Sequence, residues 1–450
     1  MTYNEQCVNL SRNNSMMTPT VHLLVIGVVL VVLQALAAVP WLAMVLLPQG
    51  REVYWRRVLF APENLARNLS VVGGVILCGL VLGGVMWQIQ DGPAEQWCGR
   101  IYGSILHLQI LIDLFVLFFG VLLAIWPKGA AVALAAFREG LRQPMFWLLA
   151  IVGLVLMFLF PFVPYFTLGQ DSVMVKEMGY ESLTLLALIF GVLTASMSIS
   201  DEIEGRTAIT LMSKPVSRRQ FLIGKFLGVY LSALVLIFVL GWFFNWMVLL
   251  KEWAAPLEGN IEAAPTPPVF VHEWVQKLLG ERGWIKDSDF RLGLIPLGSA
   301  AYFCRGIFLW LADTAQYFPG VALGACQVMV LLALAVTLAT RVTMIINLVC
   351  CLAVYVLGQL SPVLLEIAHK RLDAAPNSAG PQLLSFIANL LSAVLPGSEY
   401  FNIGPALVTD SPPPLPEFYP YVGAVVLYAL LYTSIVLIAG LLAFEDRDLA

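Results

Sequence analysis

Charged side chains are scarce in this sequence. Asp, Glu, Lys and Arg make up only 12% of its 450 residues, while 60% are hydrophobic. Globular chains carry about 25% charged and about 45–50% apolar residues, so an ordinary water-soluble domain is excluded. A basic stripe or aromatic-plus-basic module is also missing, and the formal net charge is −4, which disfavours nucleic acid as a partner. Histidine occurs only at His22, His107, His272 and His369. "VHEWVQ" (271–276) has Gln276 where an H-E-x-x-H zinc helix needs its second histidine, so no metal site is assigned. The seven cysteines show no metal-ligand spacing, and several lie within apolar runs, where cysteine behaves as a small hydrophobe. Cys98 and Cys304 fall in segments assigned to the same outer side, which leaves a disulfide between them open. No G-x-S-x-G elbow and no paired-carboxylate site occurs, so no catalytic residue is assigned.

What the chain has in abundance is long apolar runs. Crossing about 30 Å of hydrocarbon takes about 20 apolar residues as a helix. Nine segments meet that length: 21–47, 70–89, 101–126, 145–164, 183–199, 222–250, 319–340, 342–360 and 420–443. Backbone polar groups in lipid must be satisfied within a helix or a closed barrel. The alternation expected of barrel strands is absent. The expected fold is therefore all-α, a polytopic bundle of about nine transmembrane helices. The first run is longer than the roughly 7–15-residue core of a signal peptide and lacks a basic leader, so it reads as a retained span.

Basic residues orient the bundle. One set of short connections holds Arg51, Arg56, Arg57, Arg67, Lys128, Arg138, Arg142, Arg206, Lys214, Arg218, Arg219, Arg341 and Arg447; the alternate set holds Arg12, Arg100 and Lys176. The positive-inside rule then places the C-terminus in the cytoplasm and the N-terminus outside a cell (inner) membrane. The long segments 251–318 and 361–418 fall outside. Within them, 296–320 and 381–397 contain apolar runs too short to span and read as interfacial or re-entrant helices. "DSPPPLPEFYP" (410–420) is a stiff, proline-rich spacer. "GAAVALAAFREGLRQPMF" (129–146) sets Val132, Ala136 and Phe137 on one side and Arg138, Glu139 and Arg142 on the other. An amphipathic helix lying in the inner interface fits, ending at Gln143 before Pro144. The alternative is that it extends the span that follows.

The cytoplasmic connection "SDEIEGRTAITLMSKPVSRRQFLIGKFLG" (200–228) concentrates charge unusually. Glu202 and Arg206 are spaced i,i+4 for a helix leaving the preceding span. That helix should stop near Ser213, because Pro215 pushes Lys214 out of helical angles. Ser217 and Gln220 then have the spacing of a capping box that starts a second helix. The result is a kinked knob in which Leu211, Met212 and Val216 sit among charges, the make-up of a docking surface. A solvated loop obeying the positive-inside rule is the plainer alternative.

This connection resembles that of permease subunits of type-2 ATP-binding-cassette exporters. The matching residues are Glu204, Gly205, Thr207, Leu211, Ser213, Lys214, Pro215, Val216, Ser217, Arg218, Gly224, Lys225 and Gly228. "LAAFREGLRQPMF" is similar to the elbow helix of such permeases, with Phe137, Arg138, Glu139 and Arg142 in it. "LPGSEYFNIG" (395–404) and "FEDRDL" resemble segments of the subgroup related to copper-enzyme maturation permeases. The resemblance implies a six-span core over 129–450, with an elbow at 129–143 and a coupling segment at 200–221, preceded by about three extra spans in 1–128. It further implies that Glu202, Glu204, Gly205, Thr207, Leu211, Lys214, Pro215, Val216, Arg218, Arg219 and Lys225 couple the chain to a separate ABC ATPase. ATP and magnesium would be bound by that partner, because this chain has no G-x-x-x-x-G-K-[ST] loop. A homodimer or pseudo-dimer of permeases in the lipid bilayer is implied as well.

A second class stays open: an autonomous secondary transporter or channel using intramembrane polar residues. Asp113 is its strongest candidate, since a carboxylate at membrane depth is costly. His107 lies six residues earlier and off its helical face. The duplicated halves and broken helices common in that class are not evident.

Overall fold

The computed structural model describes residues 92–163, 171–204, 217–254, 298–374, 378–402 and 415–445, with the isolated helical positions Val32, Gln34, Ala37, Leu77 and Val81. Nine α-helices cover them: α1 (Gly92–Ile125), α2 (Pro127–Arg142), α3 (Pro144–Leu159), α4 (Asp171–Glu204), α5 (Arg218–Ala254), α6 (Gly298–Ala339), α7 (Met344–Ala374), α8 (Ala379–Val394) and α9 (Leu415–Glu445). No strand occurs among the described residues. All but α2 and α8 are long and apolar enough to cross a membrane, and these seven coincide with the third to ninth spans expected from hydropathy. The first two expected spans lie almost wholly outside the described residues, as does His272.

The chain divides into two compact units, one of residues 1–121 and 265–315, the other of 122–264 and 316–450. In the first, α1 meets the opening turns of α6 through backbone. A Cβ on Gly306 would lie 2.8 Å from the Arg100 amide nitrogen, and one on Gly103 would lie 3.2 Å from Ile307 Cα. Side chains larger than hydrogen there would force the helices apart, the small-residue logic of helix pairs in lipid. Arg100 and Asp313 form an ion pair at 3.5 Å, and Trp310 is fully buried.

In the second unit α3, α4, α5, α7, α9 and the later turns of α6 share one apolar core containing Met157, Phe190, Leu236, Phe244 and Leu332. Asn347 is the polar tie within it. Its amide nitrogen donates to Ser196 Oγ at 2.8 Å and to the Ala335 carbonyl at 2.9 Å, joining α7 to α4 and α6. Near the opposite end, the 3₁₀ turn Ser398–Phe401 seats on α7 and α9. The Gly397 amide donates to the Tyr428 hydroxyl at 3.1 Å, and Tyr421 donates to the Tyr400 carbonyl at 2.9 Å.

Two expectations are corrected, and one pairing left open is settled. The 296–320 run is not a separate interfacial helix: from Gly298 it continues through Pro319 as one 42-residue helix. Proline inside a helix forfeits one hydrogen bond and crowds the preceding turn, and packing on both sides of Pro319 holds the helix through it. Likewise α7 runs through Pro362 to Ala374, beyond the expected end at 360. Cys98 and Cys304 are both free thiols. The 381–397 run does form a short helix of its own, α8, packed along α7.

Candidate functional site

The site is the base of the charged connection, where α4 ends, α5 begins and α2 packs on both. α2 starts with proline in its first turn and stops where Gln143 turns extended, at φ −65° and ψ 136°, ahead of Pro144. That is the conformation a residue before proline prefers. Its buried face is made of small residues: Gly129, Ala130, Ala133, Ala136 and Gly140.

That face lies on α5, not on lipid. A Cβ on Gly224 would come within 2.9 Å of the Gly129 carbonyl oxygen, one on Gly228 within 2.7 Å of Ala136 Cβ, and one on Gly140 within 2.7 Å of Ser232 Oγ. Successive α2 positions meet successive α5 positions, so the two helices run in the same direction. The helix expected to lie in the inner interface is therefore a strut along the first turns of α5. Gly224 and Gly228 form a G-x-x-x-G pair, which lets backbones approach closely; this spacing was the available signal for the contact.

Polar groups fix the third helix. Lys225 is only 4% exposed. Its Nζ donates to Ser198 Oγ at 2.7 Å and lies 3.4 Å from the Ser198 carbonyl oxygen. Ser198 Oγ donates to Glu139 Oε2 at 3.0 Å, and the Lys225–Glu139 ion pair closes the triangle at 3.5 Å. One turn along α4, Thr194 Oγ1 donates to Gln143 Oε1 at 2.9 Å. A buried ammonium is costly unless paired and hydrogen-bonded, and here α2 and α4 together supply those partners. Three helices are thus tied at the two roots of the connection.

The start of α5 is fixed separately. Ser217 and Gln220 form the capping box: the Gln220 amide donates to Ser217 Oγ at 3.2 Å, and the Ser217 amide donates to Gln220 Oε1 at 3.1 Å. Arg218 donates to the Phe444 carbonyl at 3.1 Å and lies over the Phe444 ring, which also stacks on Phe221. Arg341 donates to the Ala443 carbonyl. Two guanidinium groups therefore serve the C-terminal carbonyls of α9, where the helix dipole favours positive charge.

The coupling residues expected from sequence divide accordingly. Lys225 is interior, Arg218 binds α9, and Arg219 is exposed. Glu202 and Glu204 fall in the last turn of α4, and Gly205, Thr207, Leu211, Lys214, Pro215 and Val216 lie outside the described residues. In α2, Arg138, Glu139 and Arg142 are exposed and Phe137 is half-buried. Asp113 is in α1, in the other unit, and is buried.

Residues 141–260 match the family model of the ABC-2 family transporter protein. The ABC-2 segment covers about a quarter of the chain: α3, α4, the charged connection and α5. It is similar to a membrane component, a class that in general is not catalytic itself and works with an ABC ATPase. Seven membrane-length helices and this similarity make the chain a multi-pass membrane protein with an ABC-2-like segment. No curated protein matches the chain.

Proposed function

We propose that this chain is the membrane-spanning subunit of an ATP-driven ABC exporter, and that the connection between α4 and α5 receives the motion of a separate ATPase. One observation carries the reading: the ABC-2 segment contains the connection and both helices it joins. The tie among Glu139, Ser198 and Lys225 supports it. A displacement of the connection would reach α2, α4 and α5 together, as a rigid lever requires.

ATP and magnesium would reside on the ATPase. Two permease copies, or a pseudo-dimer, would complete the assembly. By the positive-inside rule, the connection and the C-terminus would face the cytoplasm and the N-terminus the outside. The 395–404 and C-terminal segments make permeases of copper-enzyme maturation the proposed relatives.

The test is co-purification with a candidate ABC ATPase co-expressed with this chain, for the wild type, Lys214→Ala with Pro215→Ala, and Glu204→Ala. The expected result is loss of the ATPase, or ATP hydrolysis no longer coupled to transport. An ATPase that stays bound and normally coupled in both variants would overturn the docking role.

A further inference from the structure

A carboxylate stands on a partly exposed face of the second unit. Glu181 is half-buried on α4, within the membrane-length stretch Val173–Ile199. The Tyr355 hydroxyl on α7 donates to its Oε2 at 2.8 Å, and the Gln359 side chain hydrogen-bonds the same phenol. Tyr355 is eleven residues from Met344, the first residue of α7. At a rise of about 1.5 Å per residue, that puts its Cα about 16 Å along a core about 30 Å thick. The carboxylate it holds therefore sits at membrane depth.

Its neighbours are not those of a buried structural ion. Met178 and Leu185 on α4, and Val356 and Leu360 on α7, are all exposed. Lys176, the nearest basic residue in sequence, has its Nζ over the Tyr317 ring. Among the described residues no cation pairs with Glu181. A charged group at this depth ordinarily pairs with another charge or faces water or cargo.

We propose that Glu181, held by Tyr355, is the recognition point for an amphiphilic organic cation carried by this protein. The proposal rests on the transport reading only in treating this face as part of a transport path. The carboxylate supplies the charge complement. The exposed Met, Leu and Val side chains supply apolar contact for the body of the ligand, the usual division of labour in small-molecule sites. A hard metal cation is a poor fit, because such ions take about six or more oxygen ligands: Glu181 has one phenol and one amide beside it and Glu177 one turn away on α4, and no group of three or more metal-ligating side chains occurs among the described residues.

The test uses the full chain in lipid nanodiscs, without ATP or added ATPase, and tetraphenylphosphonium as the probe. Saturable binding is expected, weakened about tenfold or more in E181Q and less in Y355F, since removing a charge costs more than removing a neutral donor. Tetraphenylborate, of similar shape and opposite charge, should not bind saturably. Thermal melting of both near-isosteric variants checks that they are folded. Wild-type binding that is not saturable, or E181Q binding equal to wild type, would overturn the proposal. So would efficient disulfide cross-linking of E181C between two copies, which would make this a dry contact between chains. Binding is read without ATP turnover: a failed ATPase co-purification rejects the coupling role alone, and a failed titration rejects the cation site alone.

Discussion

Lys225 Nζ and Ser198 Oγ, 2.7 Å apart, join the first turns of α5 to the last turns of α4, with the charged connection spanning between them. Because the ammonium is buried while the Glu139 side chain is 45% exposed, the two partners of the ion pair are unequal. Lys225→Met should lower stability by about 1–3 kcal/mol, the range for losing a buried charge-assisted hydrogen bond. Glu139→Gln should cost less, because a half-exposed charge is screened and its amide still accepts from Ser198. Unfolding followed in one detergent checks the order; equal losses would mean that the Glu139 charge, not Ser198, holds the lysine.

The α2–α5 contact gives a steric prediction with an internal control. Gly228→Leu inserts a side chain where even Cβ would lie 2.7 Å from Ala136 Cβ. Overpacking of this kind costs about 1–3 kcal/mol or more, and here it should pry α2 from α5. Gly423, on α9, has open space around the position a Cβ would take. Gly423→Ala should be neutral or stabilising by up to about 1 kcal/mol, because alanine favours helix over glycine. Thermal melting of the two variants, with cysteine accessibility along α2, separates local wedging from general intolerance of substitution.

The capping box makes the start of α5 a measurable energy. Ser217→Ala removes the acceptor of the Gln220 amide and should cost about 1 kcal/mol, while Ser217→Asp should retain most of it. If both variants melt alike, the Arg218 contact with the Phe444 carbonyl sets the start of the helix instead.

Local grammar made much of this legible. The break at Gln143–Pro144 and the Ser217–Gln220 cap depend on neighbours in sequence, and both stand where local rules put them. Hydropathy alone located seven membrane-length helices. What sequence concealed was non-local. The expected span boundaries at 319 and 360 fall inside helices: α6 and α7 continue through Pro319 and Pro362 because packing overrides propensity. Gly224 and Gly228 read as motif residues of the connection, although their spacing of four residues also matches that of Gly129 and Ala133, which they meet on another helix. Lys225 is expected among the residues that meet an ATPase, and its burial is hidden because its partners, Ser198 and Glu139, are 27 and 86 residues away.

Asn347 discriminates between losing a hydrogen bond and mispairing one. Its amide is fully buried and donates to both Ser196 Oγ and the Ala335 carbonyl. Asn347→Leu keeps the volume and deletes both bonds, but leaves little stranded: Ser196 still donates to the Val192 carbonyl at 2.7 Å. A loss of about 1–2 kcal/mol is expected. Asn347→Asp keeps the shape but, when ionised, replaces the donor with a second acceptor facing the Ala335 oxygen, in a site where an unpaired charge is heavily penalised. It should cost about 3 kcal/mol or more, so the closer isostere should be the worse substitution. Denaturation of the two variants at neutral pH decides it. Asp tolerated better than Leu would mean that water reaches this junction of α4, α6 and α7, which would then be a wet crossing instead of a dry one.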